Sequence, residues 1–127
     1  MAANLAPTFV LTPNVTASNS ATAVTTIDGT GALVTGFTAG ADGSRVERIR
    51  VKCAATSAAA NVNIFIFDGT NNRLLTHIPV TAVTSSNTVG TFESVVTIGM
   101  VLPTGYLLKW ATTIAQSTNV IIEGGNF

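Results

Sequence analysis

The residues able to do acid–base, nucleophilic or metal chemistry are few in this chain. There is one histidine, His77, one cysteine, Cys53, and six carboxylates. His77 stands in Leu74-Leu75-Thr76-His77-Ile78-Pro79-Val80, a run that reads as strand. A lone imidazole in a strand is expected to bond a neighbour or water, rather than act as a pH-sensitive contact or a ligand. Cys53 alternates in phase with Ile49 and Val51, which predicts a small core residue instead of a nucleophile. A single cysteine also excludes an internal disulfide and a multi-cysteine zinc site. Asp28, Asp42 and Asp68 each precede a glycine, where a carboxylate hydrogen-bonds its own turn. Two such loops brought together could offer oxygen ligands to calcium, but none has the dense acid spacing of a dedicated site. Glu47, Glu93 and Glu123 lie in strand-like runs and are the natural partners of nearby bases. A glycosidase-like pair among them would depend on a separation that only the fold sets. Gly29-Thr30-Gly31 falls between two strand runs and reads as a turn, not a phosphate-binding loop. Asn14-Val15-Thr16 matches a glycosylation sequon, but the start of the chain lacks the basic and apolar regions of a secretory signal, so a chance match is expected. This inventory predicts no enzyme, no cofactor and no resident metal.

The one unusual charge feature is a basic stripe. Arg45, Arg48, Arg50 and Lys52 are four of the six basic residues, within eight positions. One reading is an electrostatic contact with an acidic partner, including a neighbouring subunit. The other is a solvated strand face whose charge is offset by cross-strand glutamates and which also discourages edge aggregation. Nucleic acid is not expected as a partner, because net charge is zero and no aromatic residues interleave with the bases.

These residues sit on short strands. From residue 22 onward, strand-like runs alternate with turn signals: Thr22 to Ile27, Ala32 to Thr38, Arg45 to Ala54, Val62 to Phe67, Arg73 to Val80, Thr91 to Ile98, Tyr106 to Thr113 and Asn119 to Glu123. Asp-Gly turns and regular spacing indicate a sandwich or barrel. From Arg48 to Cys53 the faces alternate strictly, with Ile49, Val51 and Cys53 opposite Arg48, Arg50 and Lys52. Tyr106, Leu108 and Trp110 share a face, which predicts Trp110 in the core rather than as an exposed sugar platform. Val62 to Phe67 is nearly all apolar and predicts a central strand covered on both faces, one of them by the core and the other by a subunit neighbour. The predicted fold is all-β: a jelly-roll-like antiparallel β-sandwich of about eight strands. An immunoglobulin-type sandwich is the alternative, without its Cys-Trp-Cys hallmark.

Residues 1–21 read differently, as an extended N-terminal arm ahead of a β-sandwich domain at 22–127. The arm has no charged side chain, two prolines at Pro7 and Pro13 that oppose helix, and one apolar anchor, Phe9-Val10-Leu11. Such an arm orders only when tied down, and it could add as a strand to the edge of a neighbouring subunit. Only 9% of the 127 residues are charged and mean hydropathy is +0.48. Ordinary soluble domains carry about 25% charge, so part of this surface is expected to be covered by a partner. Apolar stretches are broken by Pro, Gly and Lys before about 18 residues, so no membrane span is expected.

Several strings carry a family resemblance. They are Thr25-Thr26-Ile27-Asp28-Gly29-Thr30-Gly31, the run from Gly40 to Lys52, Ile64-Phe65-Ile66-Phe67-Asp68-Gly69, Leu102-Pro103-Thr104-Gly105-Tyr106 and Glu123-Gly124-Gly125. Together they resemble small structural proteins of tailed bacteriophages, over most of residues 22–127. The resemblance implies a head decoration or cement protein: a jelly-roll domain, commonly trimeric, made in the bacterial host cytoplasm and seated on the outer capsid surface of the virion. Its expected partners are further copies of itself and the major capsid protein, with neither nucleic acid nor membrane. The surfaces expected to make those contacts are Phe9, Val10 and Leu11 and the stripe Arg45, Arg48, Arg50 and Lys52. A receptor- or carbohydrate-binding virion module, or a tail or baseplate component, is the alternative.

Overall fold

In the computed structural model, residues 10–127 are described and form eight strands with no helix. The strands are β1 (Thr12–Ser20), β2 (Val34–Thr38), β3 (Ser44–Cys53), β4 (Ala60–Phe67), β5 (Asn72–Val80), β6 (Glu93–Leu102), β7 (Leu107–Thr112) and β8 (Thr118–Asn126). They make two four-stranded sheets, in the orders β1-β8-β3-β6 and β2-β7-β4-β5. Every strand pairing is antiparallel. Only β4 and β5 are joined as a hairpin within one sheet; every other connection passes to the opposite sheet. That winding is the jelly roll.

The core lies between the sheets and follows the alternation of the strands. Val46, Ile49, Val51, Cys53, Val120, Ile122 and Leu102 point inward from the first sheet, and Phe37, Val62, Ile64, Ile78, Val80, Leu108 and Trp110 from the second. Trp110 is fully buried, and its indole N–H donates to the Ser18 hydroxyl at 2.8 Å. Cys53 is a buried free thiol; burial raises its pKa above the ordinary value, so it stays protonated and unreactive.

Val46 and Ile49 are three apart yet both face inward. A flat strand cannot do that, because its side chains alternate with a period of two. The register of β3 therefore slips between Val46 and Arg48 against both neighbours: against β8 the extra residue is Glu47, whereas against β6 it lies on β6, between Thr97 and Met100. On β8 the slip is matched by Gly124, whose missing Cβ leaves room for the Arg45 carbonyl.

The stretch Thr22 to Ile27, expected as a strand, makes a single bridge, from Ala23 to Thr112. The side of β7 that it approaches is taken by β2 from Leu107 to Trp110, so only the end of β7 is left to pair. Residues 23–33 instead cross the outer face of the second sheet. They are bonded at β7 through Val24 N–H to the Thr112 carbonyl and at β5 through the Asn72 side chain to the Gly29 carbonyl. Phe65 and Ala111, which belong to that outer face, are buried there. The second cover of Val62 to Phe67 is thus the chain's own segment, where a subunit neighbour was expected. The eighth strand comes instead from the stretch read as an arm, because Thr12 to Ser20 pairs with β8 along nine positions in unbroken register.

Gly124→Ala drives a methyl into backbone and is expected to cost about 1–3 kcal/mol. Gly90→Ala, where a Cβ meets nothing within 4 Å, is expected to be neutral or slightly stabilising. Urea denaturation of the two variants beside the parent checks the contrast.

Candidate functional site

The outer face of the first sheet is where the charged residues collect. Read across the sheet in register, one row runs Pro13, Gly125, Arg45, Val101, and the next Val15, Glu123, Arg48, Thr97. The following rows are Ala17, Ile121, Arg50, Val95 and then Asn19, Asn119, Lys52, Glu93. The extra residue in β3 matters here, because it turns Arg48 outward with Arg45 and Arg50 instead of into the core.

The basic stripe is matched on the spot. Arg48 pairs with Glu123 at 3.0 Å, and Arg50 bridges Glu93 at 2.9 Å and Glu123 at 3.7 Å. Arg45 pairs with Glu47 beside it, and Lys52 donates to the Thr91 carbonyl at 3.3 Å. All three glutamates of the chain therefore serve this face. Four basic groups against three acids leave a residual of one positive charge. Such a surface has directed hydrogen-bonding groups but a weak long-range field, which suits a mixed partner surface better than a phosphate backbone.

Apolar residues flank the ladder. Val15 is 61% exposed on β1, and Val95 and Val101 are 46% and 57% exposed on β6. Beside β1, Ala17, Ser18, Asn19, Asn119 and Ile121 line an open depression of about 300 Å³. Its amides are partly engaged, since Asn19 donates to Asn119 at 2.8 Å and to Ser117 at 3.0 Å. Of the expected anchor, Val10 and Leu11 are 40% and 80% exposed, and Phe9 lies outside the described residues. Val10 sits over Gly125, so the anchor and the stripe meet at the edge of one face.

The remaining groups do structural work. His77 Nδ1 lies 2.6 Å from Asn63 Oδ1 on the neighbouring strand. Asp28 accepts hydrogen bonds from the Thr30 hydroxyl and amide, and Asp68 from the amides of Thr70 and Asn71. These bonds favour the ionised carboxylates and hold both below the ordinary value of 3.8. The two loops do meet, through Asn72 and Gly29, yet each carboxylate is turned to its own loop. Among the described residues, no three His, Cys, Asp or Glu stand together as metal ligands. Lys109 lies over the Phe67 ring at 4.3 Å, on the other sheet.

Cross-strand pairing of the stripe was legible in the sequence, and the depression was not. Its signal was the alternation of Val15, Ala17 and Asn19 against Asn14, Thr16 and Ser18, which marks a strand with two distinct faces. No protein-family model matches the chain, and no curated protein matches it.

Two outcomes follow. Glu123→Gln removes the acid shared by Arg48 and Arg50. Because the pairs are solvent-exposed, the loss should stay under about 1 kcal/mol and shrink between low and high salt in denaturation midpoints. For Asp28 and Asp68, whose folded pKa values are lowered, the stabilisation is complete above the unfolded value near 3.8 and is lost as pH falls through the lower folded values. The doubly substituted Asp28→Asn, Asp68→Asn protein should therefore lose less thermal stability than the parent between neutral pH and about pH 2.

Proposed function

We propose that this chain is a head decoration protein of a tailed bacteriophage. It binds the outer capsid lattice, with further copies of itself as a trimer, and reinforces the shell by protein–protein contacts without catalysis. The observation that carries this reading is the outer face of the first sheet. It joins a nearly neutral ladder of Arg and Glu pairs to exposed Val15, Val95 and Val101, and to Val10 and Leu11 at its margin. An apolar and polar mosaic of this kind matches the composition of protein interfaces, which carry apolar area together with directed hydrogen bonds. The low overall charge points the same way, because a dispersed monomer with so few charges is poorly protected against association. The jelly roll occurs in viral capsid and lectin domains, and the phage-like strings lie in its strands and turns. A sugar-binding reading would need an aromatic platform, and Trp110 is enclosed between the sheets.

Shells assembled with the protein should withstand a higher temperature before rupture than shells lacking it, with a copy number that scales with the lattice. Equal rupture temperatures would sink the reading. Reproducible glycan-array binding would favour the recognition module instead.

A further inference from the structure

Each sheet ends in two edge strands, β1 and β6 in the first and β2 and β5 in the second. The backbone N–H and C=O groups along such an edge are a template for another chain unless the edge is blunted. Three of the four are blunted. Strand β6 carries Glu93 and an extra residue between Thr97 and Met100, with Gly99 at a φ of 61°. Strand β5 carries Arg73, His77 and Pro79, and Leu75 is left over in its register between Leu74 and Thr76. Strand β2 has only five residues, and its Gly36 and Thr38 carbonyls are taken by the Thr16 hydroxyl and the Asn14 amide of β1. Strand β1 is the open edge. It runs nine residues in unbroken register with β8, has no charged side chain, and among the described residues no strand pairs with its other side. Pro13 interrupts it only near its start, so Asn14 to Ser20 all keep both backbone groups.

We infer that β1 pairs with β1 of a second copy, antiparallel about a two-fold axis at Thr16, joining two first sheets into one of eight strands. Several observations favour a second copy as the occupant. Like charges set opposite each other destabilise a strand pair, and Thr12–Ser20 laid against itself brings none together. An axis at Thr16 pairs all nine residues, Thr12 with Ser20 and Val15 with Ala17. Partners then share parity, so outward side chains meet outward ones. Val15, 61% exposed in the single chain, comes beside Ala17 of the second copy, at the rim of the depression that Ala17, Asn19, Asn119 and Ile121 line. An exposed valine and an open depression thus meet twice, once from each copy, and the isologous contact closes with two. The inward side chains of β1 keep their bonds to Trp110, Gly36 and Thr38, because only the far side of the backbone is used. Such a strand pair is small beside the roughly 1,200–2,000 Å² that stable complexes bury, so pairing rises with concentration. Being two-fold, the contact adds to those of a trimer instead of replacing them, and it does not rest on the capsid reading.

The test is the mass of the free protein in concentrated solution, by sedimentation equilibrium, for the parent, Val15→Lys and Val89→Lys. Val15→Lys places two ammonium groups beside the axis and is expected to halve the mass of the parent species, whether that species is two chains or two trimers. Val89→Lys, also at an exposed valine but in the loop between β5 and β6, is expected to keep it. Equal masses for the parent and Val15→Lys overturn the inference. Should Val15→Lys lose the circular dichroism of the parent, two cysteine proteins decide. Val15→Cys carrying a size tag is mixed, folded, with Ala17→Cys and oxidised; Cys53 is buried and does not compete. A mixed disulfide-linked pair, at twice the 13.0 kDa chain mass plus the tag, is expected in excess of like pairs. Like pairs alone, or no pairs, overturn the inference. Neither measurement contains shells, so failure here and failure of the rupture-temperature test are separate results.

Discussion

The burial of Trp110 is the interaction on which the rest of this molecule depends. Its ring removes on the order of 200 Å² from water, worth roughly 5 kcal/mol at about 25 cal/mol per Å². An indole N–H taken into the core must also find an acceptor, or that gain is eroded by about 1–3 kcal/mol. The acceptor is Ser18 of β1, on the opposite sheet. One side chain of β7 thus sets the distance between the sheets, requires Gly36 on β2 for space, and gives the edge strand β1 a defined seat. The large apolar term and the small polar one act on different strands. The first holds the sandwich together, and the second only places β1.

That division explains why the surface is built as it is. The apolar core is contributed by the other seven strands, and β1 adds no residue to it. The eighth strand covers β8 with polar contacts and keeps its apolar residues outward. An edge of this kind, long, uncharged and unbulged, is what soluble proteins avoid unless something occupies it.

Charge is handled by the opposite logic. With so few charged residues, spreading them would leave each one weak. They are concentrated on β3 and its neighbours instead, where each Arg has a carboxylate within reach. The pairs are exposed and contribute little to stability. What they add is a patterned set of donors and acceptors on a flat sheet, and the bulge at Glu47 adds Arg48 to it. Local neutrality keeps that pattern from attracting polyanions at long range.

Much of this was written in the local sequence. Strict alternation from Arg48 to Cys53 determined which side of β3 is wet, because a strand's side chains must alternate. Asp28, Asp42 and Asp68 before glycine determined turns, because glycine alone takes the backbone angle without strain. The tertiary structure decided the rest. Whether Thr12 to Ser20 is an arm or a strand depends on β8, more than a hundred residues away, offering a free edge. Whether Thr22 to Ile27 is a strand depends on how much of β7 the later strand β2 leaves unpaired. The second cover of β4 comes from residues 23–33 because they lie across it, and no pattern within either stretch specifies that. Periodicity is a local property and can assign a face. Pairing partners and covered faces are set by competition among distant segments for the same edges and surfaces, which only the folded chain resolves.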